Sequence, residues 1–319
     1  MEKRILAAVD GSEKGFQAVS ILGRLVKDQP DVQLVVFHCL QQLQTLAPGE
    51  LCTISDDACR LPLSAQEEVG NAVFQKARNL LLEEGVPETA ISRRLKLDSM
   101  DPAQDILREA QSENATTIAV GRRGRSQLEN LLLGSVSSKV AQYSGNRAVW
   151  VIDTPTQESR KVLVAMEGAS DARTLMSYVC RHVASIQGMH FTILHLMPPI
   201  PPTFWDDGHI LDSGERKDRQ SRVEKWHREC KQRVQGFMEE TCAALKSCGV
   251  QEGMIEVRIL PTREGIARDL LNLIAEERFH MVLMGKKSFQ ERKPFLMGSH
   301  ANKILQNAKG TIIGLVDSP

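Results

Sequence analysis

Short apolar runs and longer amphipathic stretches alternate along the whole chain. An apolar run of this length is typical of a buried strand, and apolar residues three or four apart are typical of a helix. In the first half the pattern predicts five strands, at 4–9, 33–40, 91–97, 116–120 and 148–152. They alternate with helices predicted at 13–27, 65–84, 102–112 and 128–143.

The second half repeats this order. Strands are predicted at 161–166, 190–196, 255–260, 280–284 and 311–316, and helices at 172–185, 215–247, 264–276 and 295–308. A polar stretch that contains Pro155 separates the halves and has the composition of a linker. The chain therefore predicts two domains, 1–153 and 160–319. Because strand–helix alternation implies right-handed crossovers, each domain is expected to be an α/β, doubly wound, parallel five-stranded sheet.

A glycine motif follows the fourth strand of each half. The first copy is Gly121-x2-Gly124-x9-Gly134-Ser135, and 164 residues later the second reads Gly285-x2-Ser288-x9-Gly298-Ser299. Glycines just beyond a parallel strand let the backbone approach a ligand, and a helix start presents bare N–H groups. The first copy predicts a phosphate site built from glycine N–H groups and the hydroxyls of Ser135 and Ser137. The alternative is a strand exit, a turn and a helix start without a ligand.

Asp10 ends the first strand, in the sequence Asp10-Gly11-Ser12. Alone, this tripeptide is typical of a helix N-cap with a turn glycine. Ligands of doubly wound sheets bind beyond the carboxyl ends of the strands, where the first and fourth strands are expected to be neighbours. Beside the glycine motif, the Asp10 carboxylate therefore predicts a contact with a ribose, a metal or a phosphate-bound water. The equivalent residue of the second half is Glu167, which is one methylene longer.

The second copy of the motif is altered, because Ser288 replaces the second glycine and its side chain fills space that a phosphate needs. The residues of this possible second site are Glu167, Gly285, Lys286, Ser288, Gly298 and Ser299. Its loop carries Lys286, Lys287, Arg292 and Lys293, which either form a solvated loop or hold a different anion. The first copy carries Arg122, Arg123 and Arg125, so a positive rim is expected in both halves.

Composition narrows the class of protein. Lysine plus arginine and aspartate plus glutamate both total 40, so the net charge is near zero, which argues against a broad nucleic-acid or anionic-membrane surface. No segment reaches the ~20 apolar residues of a membrane helix, and the N-terminal apolar run is too short for a signal peptide. The seven cysteines show no CxxC pair and are expected to be reduced thiols of a cytoplasmic protein. Cys52 and Cys59 leave a redox or metal role open.

Other polar and aromatic positions give weaker signals. No residue spacing suggests a zinc cluster, and His38 and His195, at equivalent ends of the second strands, are expected to be hydrogen-bonded structural residues. The segments 41–64 and 197–214 are long for simple connections and are interpreted as lids or disordered segments. In the second of them, Phe204 and Trp205 either cover a ligand or partner or pack on their own domain.

Three segments together resemble the universal stress protein family in its tandem, two-domain form. They are Ile5-Leu6-Ala7-Ala8-Val9-Asp10-Gly11-Ser12, Val36-Phe37-His38, and Gly121-Arg122-Arg123-Gly124-x9-Gly134-Ser135-Val136-Ser137. The resemblance covers almost the whole chain. It implies an adenine nucleotide alpha hydrolase-like fold with strand order 3-2-1-4-5 in each domain. It also implies that the fifth strands of the two halves pair within one chain, as an intrachain pseudo-dimer with or without further homodimerisation.

The resemblance to the ATP-binding branch of this family implies the ligand, ATP with Mg²⁺. The glycine motif would hold the phosphates, Asp10 would lie near the ribose and phosphates, and backbone near Cys39 would meet the adenine. The implied binding residues are Ala8, Val9, Asp10, Cys39, Val120, Gly121, Arg122, Gly124, Gly134, Ser135, Val136 and Ser137.

These features together predict a cytoplasmic, nucleotide-responsive stress regulator with a protein partner that the sequence does not name. Two alternatives stay open. One is a slow ATPase or phosphotransferase, although the chain has no Walker lysine and no clear general base besides Asp10. The other is a nucleotide-free scaffold in which the glycines only build turns.

Overall fold

A computed structural model of the protein describes residues 3–41, 63–123, 133–154, 159–197, 213–286 and 298–317. Several residues singled out above lie outside these ranges: Cys52, Cys59, Gly124, Arg125, Phe204, Trp205, Lys287, Ser288, Arg292 and Lys293. The strands are β1 Lys3–Ala8, β2 Val32–Gln41, β3 Ile91–Ser99, β4 Thr117–Gly121, β5 Ala148–Ile152, β6 Lys161–Met166, β7 His190–Met197, β8 Ile255–Pro261, β9 Met281–Gly285 and β10 Ile312–Val316. The helices are α1 Glu13–Val26, α2 Leu63–Glu83, α3 Pro102–Ser112, α4 Ser135–Tyr143, α5 Ala169–His182, α6 Ser213–Ser247, α7 Ile266–Glu277 and α8 Ser299–Asn307.

The ten strands form one sheet in the order β3-β2-β1-β4-β5-β10-β9-β6-β7-β8. Within each half all neighbouring strands are parallel and follow the predicted order 3-2-1-4-5, which is thereby confirmed. The halves meet where β5 and β10 pair antiparallel, so the fifth strands do pair within one chain. Helices cover both faces of this sheet, and two separate apolar clusters form the cores above and below it.

The start of α4 differs from its prediction. Gly134 is the N-cap of this helix with an extended backbone (φ −67°, ψ 144°), so no helix runs through it. The sequence pattern had continued the helix back to residue 128, because apolar spacing does not register a break in backbone direction. The residues Gly134-Ser135 at the end of the glycine motif therefore form a helix N-terminus rather than part of a helix interior.

The central strands and the edge strands differ in burial for a physical reason. All five residues of β5 and of β10 are buried, because helices cover both faces at the seam. The edge strands β3 and β8 are largely exposed or half-buried and carry charged residues such as Arg94 and Arg258. Charged edge strands resist pairing with a further strand, which closes the sheet at ten.

Trp150 of β5 lies opposite Gly314 of β10 in the antiparallel register. These two residues are also 164 positions apart, the same offset as the two glycine motifs, so the pseudo-two-fold axis passes through this pair. Trp150 is fully buried. A Cβ added to Gly314 would lie less than 3.0 Å from Leu283 Cδ2 and 3.4 Å from Trp150 Cδ1. A large residue and a glycine therefore share the space at the axis.

A basic residue of each half also forms hydrogen bonds with the C-terminal end of the last helix of the other half. Arg122, which follows β4, donates from Nη2 to the carbonyl of Gln306 in the last turn of α8 (2.7 Å). Its equivalent Lys286, which follows β9, donates to the carbonyl of Gly145 (3.1 Å) and to the hydroxyl of Ser144, just after α4. Because helix C-termini carry partial negative charge, both contacts are electrostatically favourable. We call this pair of contacts the reciprocal clasp.

Two of the cysteines form a disulfide, in contrast to the expected reduced thiols. Cys180 of α5 is bonded to Cys248, which directly follows α6, with 5.5 Å between the Cα atoms. The pair is 68 residues apart, so no local spacing signalled it. Of the other described cysteines, Cys39, Cys230 and Cys242 are free.

Within the described ranges, no helix combines the length and apolarity that crossing a membrane requires. The same ranges contain no group of three or more His, Cys, Asp or Glu side chains arranged to hold a metal ion.

Candidate functional site

The first and fourth strands of the first half end side by side. Ala8 is paired with both Phe37 and Val120, and the Val9 amide donates to the Phe37 carbonyl (2.9 Å). Asp10 and Gly121 therefore leave the same edge of the sheet. A Cβ added to Gly121 would lie 3.8 Å from the Cα of Gly15 in α1. The structure thus brings together the two features that the sequence placed 111 residues apart.

Asp10 organises the start of α1 without being its N-cap. The N-cap is Ser12, whose hydroxyl accepts from the Gly15 amide (3.0 Å). Asp10 Oδ1 in turn accepts from the Ser12 amide (3.0 Å) and the Ser12 hydroxyl (2.7 Å). Gly11 makes this turn with a φ of +80°, and a Cβ on Gly15 would collide with Asp10 Oδ1. Asp10 Oδ2 has no hydrogen bond to a described residue, so it is available at the sheet edge.

Gly121 and Gly134 are not required to be glycine by their own backbone. Neither has a positive φ, and Gly134 lies in the extended region that any residue adopts. The nearest atom to an added Cβ is 3.4 Å away at both positions, the carbonyl oxygen of Arg123 for Gly121 and of Arg122 for Gly134. These distances are ordinary van der Waals contacts. Turn geometry and packing therefore do not explain the two glycines, whereas a ligand close to the backbone would.

The N-terminus of α4 supplies the donors of this site, but not in the way that the sequence suggested. The Gly134 amide donates to the Arg122 carbonyl (2.9 Å), and the buried Ser137 hydroxyl donates to the Gly121 carbonyl (2.7 Å). Both groups are thus used to shape the loop. The helix has no side-chain cap, so the amides of Ser135, Val136 and Ser137 have no hydrogen-bond acceptor among the described residues. The exposed Ser135 hydroxyl lies beside them.

Arg122 does not lie on a positive rim, in contrast to the expectation from the sequence. Its side chain is only 2% exposed and belongs to the reciprocal clasp, 3.6 Å from the carboxylate of Asp153. Asp153 Oδ2 also accepts from the Gly310 amide of the second half (3.0 Å). Burial lowers the pKa of Arg122, and Asp153 partly opposes this. Lys286 is buried in the same way, so neither cation is directed at a ligand on its own sheet edge.

The end of β2 forms the side of the site that was expected to meet an adenine. β1 ends opposite Phe37, while β2 continues to Gln41, with an irregular register between Cys39 and Gln41. Cys39 is half-buried and free. Burial raises the pKa of its thiol to about 11, and the nearby charges of Asp105 and Asp10 act in the same direction. The thiol is therefore neutral at physiological pH.

His38 and His195 are hydrogen-bonded structural residues, as expected. His38 Nδ1 lies 2.6 Å from the Val9 carbonyl oxygen, and His195 Nδ1 lies 3.0 Å from that of Met166. Burial lowers the pKa of His195. His38 thus connects β2 to Val9, the residue after β1, and His195 connects β7 to Met166, the last residue of β6.

The equivalent edge of the second half is built differently. Glu167 Oε1 lies 3.4 Å from His300 Nδ1, and His300 is the second residue of α8, where the first half has Val136. The turn also differs, because Gly168 is extended (φ −172°) where Gly11 is left-handed. A carboxylate of the chain itself thus lies near the N-terminus of α8. Of the other predicted residues, Gly285 ends β9, Gly298 is the N-cap of α8 and Ser299 begins it.

Comparison with known proteins gives one family for both halves. The profile of the universal stress protein family matches residues 1–151 and again residues 158–313. The universal stress protein YxiE of Bacillus subtilis (strain 168) is 30% identical over 148 residues, which span 45% of this chain and 95% of that protein.

Solved structures agree on the two-domain fold. A universal stress protein from Archaeoglobus fulgidus DSM 4304 matches with a TM-score of 0.63 and 20% identity, over 99% of this chain and 96% of that chain. A functionally unknown protein of Pseudomonas aeruginosa PAO1 matches with a TM-score of 0.56 and 15% identity, over 99% and 93%. Since the family profile matches nearly the whole chain in two consecutive copies, the protein belongs to the universal stress protein family.

Proposed function

We propose that the first half binds ATP at the sheet edge formed by Asp10, Gly121 and the N-terminus of α4. The observation that carries the proposal is the pair of glycines, Gly121 and Gly134, which neither a positive φ nor close packing explains. They border an uncapped helix N-terminus, and such a terminus attracts a phosphate through its free amides and its dipole.

Different residues are proposed to contact the phosphates, the ribose and the adenine. The first-turn amides of α4 and the Ser135 hydroxyl bind the phosphates, and Gly124 is assigned to the same group by its position in the motif. Asp10 Oδ2 faces the ribose and phosphates. The adenine meets the backbone around Cys39, whose neutral thiol adds no charge to that side. Ala8, Val9 and Val120 lie at or just after strand ends and would contact the nucleotide from the sheet side. Val136 would lie beside the phosphates.

Mg²⁺ would enter with the nucleotide. Mg²⁺ sites of this kind use one or two carboxylates together with substrate phosphates and water. The free oxygen of Asp10 fits that donor set, and Ser135 is an additional oxygen donor. The residues present therefore suit a metal that the nucleotide carries rather than one held by protein ligands alone.

The second half is proposed not to bind ATP in the same way. Its own Glu167 carboxylate lies near the helix N-terminus that a phosphate would need, and carboxylate and phosphate repel each other. Lys286 is committed to the reciprocal clasp. Ser288, outside the described residues, is a further difference in the motif. The predicted stoichiometry is one ATP per chain.

The proposed role is a nucleotide-responsive regulator with a protein partner. Gly121, at the site, is followed directly by Arg122, which contacts α8 of the other half. A ligand that binds one arrangement of this loop better would shift the population toward it, and the clasp would carry the shift between halves. The proposed assembly is the intrachain pseudo-dimer, either alone or paired again as a homodimer.

The test measures nucleotide stoichiometry and affinity in matched variants. Protein purified without added nucleotide is denatured and the released ligand is identified by mass spectrometry, and ATP is then titrated calorimetrically. Wild type should bind one ATP. Gly134→Val should abolish binding, because the branched side chain fills the space before α4. The control is Gly298→Val, the equivalent change before α8, which should leave one ATP bound.

Each other outcome contradicts a stated part of the proposal. Two ATP per chain would refute the difference between halves. Loss of binding in both variants would show that Gly298 matters equally. No ATP binding by a folded wild type would favour the nucleotide-free scaffold.

A slow ATPase is distinguished by the variant Asp10→Ala. The free Asp10 Oδ2 favours this second activity, because a free carboxylate oxygen can act as a general base. If the variant retains ATP affinity but loses turnover, Asp10 acts in hydrolysis. If affinity and turnover fall together, Asp10 serves binding.

A further inference from the structure

A separate cavity of about 540 Å³ lies between the two halves, on one side of the seam between β5 and β10. One wall is α5 of the second half. The other walls are the residues before and at the starts of β4 and β5 and the end of β10. The starts of β4 and β5 are at the edge of the first half opposite to its proposed ATP site. The cavity is therefore distinct from that site.

The cavity is lined by three arginines and one carboxylate, Arg147, Arg173, Arg181 and Asp317. Arg173 and Arg181 lie on one face of α5, two turns and about 12 Å apart along the axis. Arg147 faces them from the start of β5. Within the part of the chain that the structure describes, none of the three guanidinium groups has an ion-pair partner. The lining thus carries three positive side chains and one negative side chain.

The inner wall adds a polar group without a hydrogen-bond partner. His182 is only 3% exposed and stacks on Tyr178, with 4.5 Å between ring centroids. Its Nδ1 has no hydrogen-bond partner among the described residues, whereas the Tyr178 hydroxyl lies 2.7 Å from Thr117 Oγ1. Burial lowers the pKa of His182 to about 4, and the charges of Lys3 and Arg181 act in the same direction. The ring is neutral at pH 7 and can donate to or accept from a ligand.

Part of the polar lining of the cavity is particular to the second half. The histidine contacts to Val9 and Met166 set an offset of 157 residues between α1 and α5. At this offset Arg173 corresponds to Phe16 and His182 to Leu25, and both α1 residues are buried in the apolar core. Arg181, by contrast, corresponds to Arg24, so the lining differs from the other side of the pseudo-two-fold axis at two of these three positions.

We propose that this cavity binds a small phosphate-bearing molecule with at least two negative charges. Guanidinium groups match phosphate oxygens in geometry and charge, and three arginines line this cavity together with one carboxylate. A ligand bridging Arg147 to α5 contacts both halves at once. This proposal does not depend on ATP binding at the first-half edge.

The probe is inorganic pyrophosphate, titrated calorimetrically into the full chain at low ionic strength. The titration uses the Gly134→Val background, so that the first-half edge does not contribute. One pyrophosphate per chain is expected. Arg173→Gln and Arg181→Gln should each weaken binding about tenfold or more, because each removes a charge-assisted contact. Both side chains are exposed, so the variants should fold normally.

The matched control is Arg268→Gln on α7. Arg268 is also exposed, pairs with Glu264 (3.5 Å), and lies on a helix that packs on the other face of the sheet. It changes the net charge equally and should leave the affinity within twofold. Equal weakening by Arg268→Gln would show general attraction and overturn the proposal. Absence of binding in the parent protein, or undiminished binding in the Arg173/Arg181 double variant, would overturn it as well.

Discussion

Gly314→Ala is expected to destabilise the protein through the seam between its halves. The added Cβ would approach Leu283 Cδ2 to less than 3.0 Å, in a region where both Leu283 and Trp150 are fully buried. Trp150 Cδ1, at 3.4 Å, would already be in van der Waals contact with the added Cβ. Something must therefore move in a core that is packed on both faces.

The magnitude follows from the competing contributions. Burying one more methyl group would stabilise the folded state by about 0.8 kcal/mol, and replacing a glycine also lowers the entropy of the unfolded chain. Overpacking a dense core costs about 1–3 kcal/mol. Because the clash involves a side chain without free space around it, we expect overpacking to cost about 3 kcal/mol, the upper end of this range, which leaves a net destabilisation of about 1–2 kcal/mol.

The assay is urea unfolding followed by circular dichroism, with a double-mutant cycle. Leu283→Val removes the clashing Cδ2 and should itself cost about 1 kcal/mol. In that background Gly314→Ala should cost less than about 0.5 kcal/mol. The control is Gly236→Ala in α6, where an added Cβ meets nothing within 4 Å. That change should stabilise the helix by about 0.5–1 kcal/mol.

Two results would contradict this prediction. One is a Gly314→Ala protein as stable as wild type, which would mean that the seam tolerates a side chain. The other is a full cost of Gly314→Ala in the Leu283→Val background, which would mean that the clash with Leu283 is not its origin.

Three further predictions concern single interactions. Arg122→Met removes the charge-assisted hydrogen bond to the Gln306 carbonyl and should lower the free energy of unfolding by about 2 kcal/mol in urea titrations; an unchanged midpoint would show that the clasp contributes nothing. Reducing the bond between Cys180 and Cys248, which closes a 68-residue loop, should cost up to about 4 kcal/mol, and a melting temperature unaffected by dithiothreitol would contradict this. His182 has a folded pKa lowered to about 4, so the unfolded chain binds more protons between pH 6.5 and 4, and stability should fall as pH falls through this window. His182→Asn should make that fall shallower by up to about 3 kcal/mol, and parallel pH profiles would exclude the effect.

The strand–helix order was predictable because it depends on local patterns. The described strands begin and end within two residues of their predicted positions, since apolar runs bounded by polar residues mark buried strands directly. The helix starts were less predictable. Gly134 ends the extended segment before α4, and Ala169 begins α5 three residues earlier than expected, because hydrophobic spacing does not report backbone direction at a helix end.

The candidate site was predictable in position and less so in detail. That Asp10 and Gly121 meet follows from the parallel sheet and its strand order. The roles of Ser12 as N-cap and of Ser137 as a donor to Gly121 needed coordinates, because several hydroxyls and amides compete for the same partners. Spacing alone does not decide which of them is left for a ligand.

The amino-acid sequence alone was enough to predict the repeated α/β order, the two related glycine motifs and the family to which they point. These features depend on residues close together in the chain and on a pattern that occurs twice. Three features could be seen only in the folded chain, because their partners come from different parts of the fold. They are the burial of Arg122 against α8, the bond between Cys180 and Cys248, and the packing of Trp150 against Gly314. Each depends on packing between segments far apart in sequence, and local sequence patterns do not predict such packing.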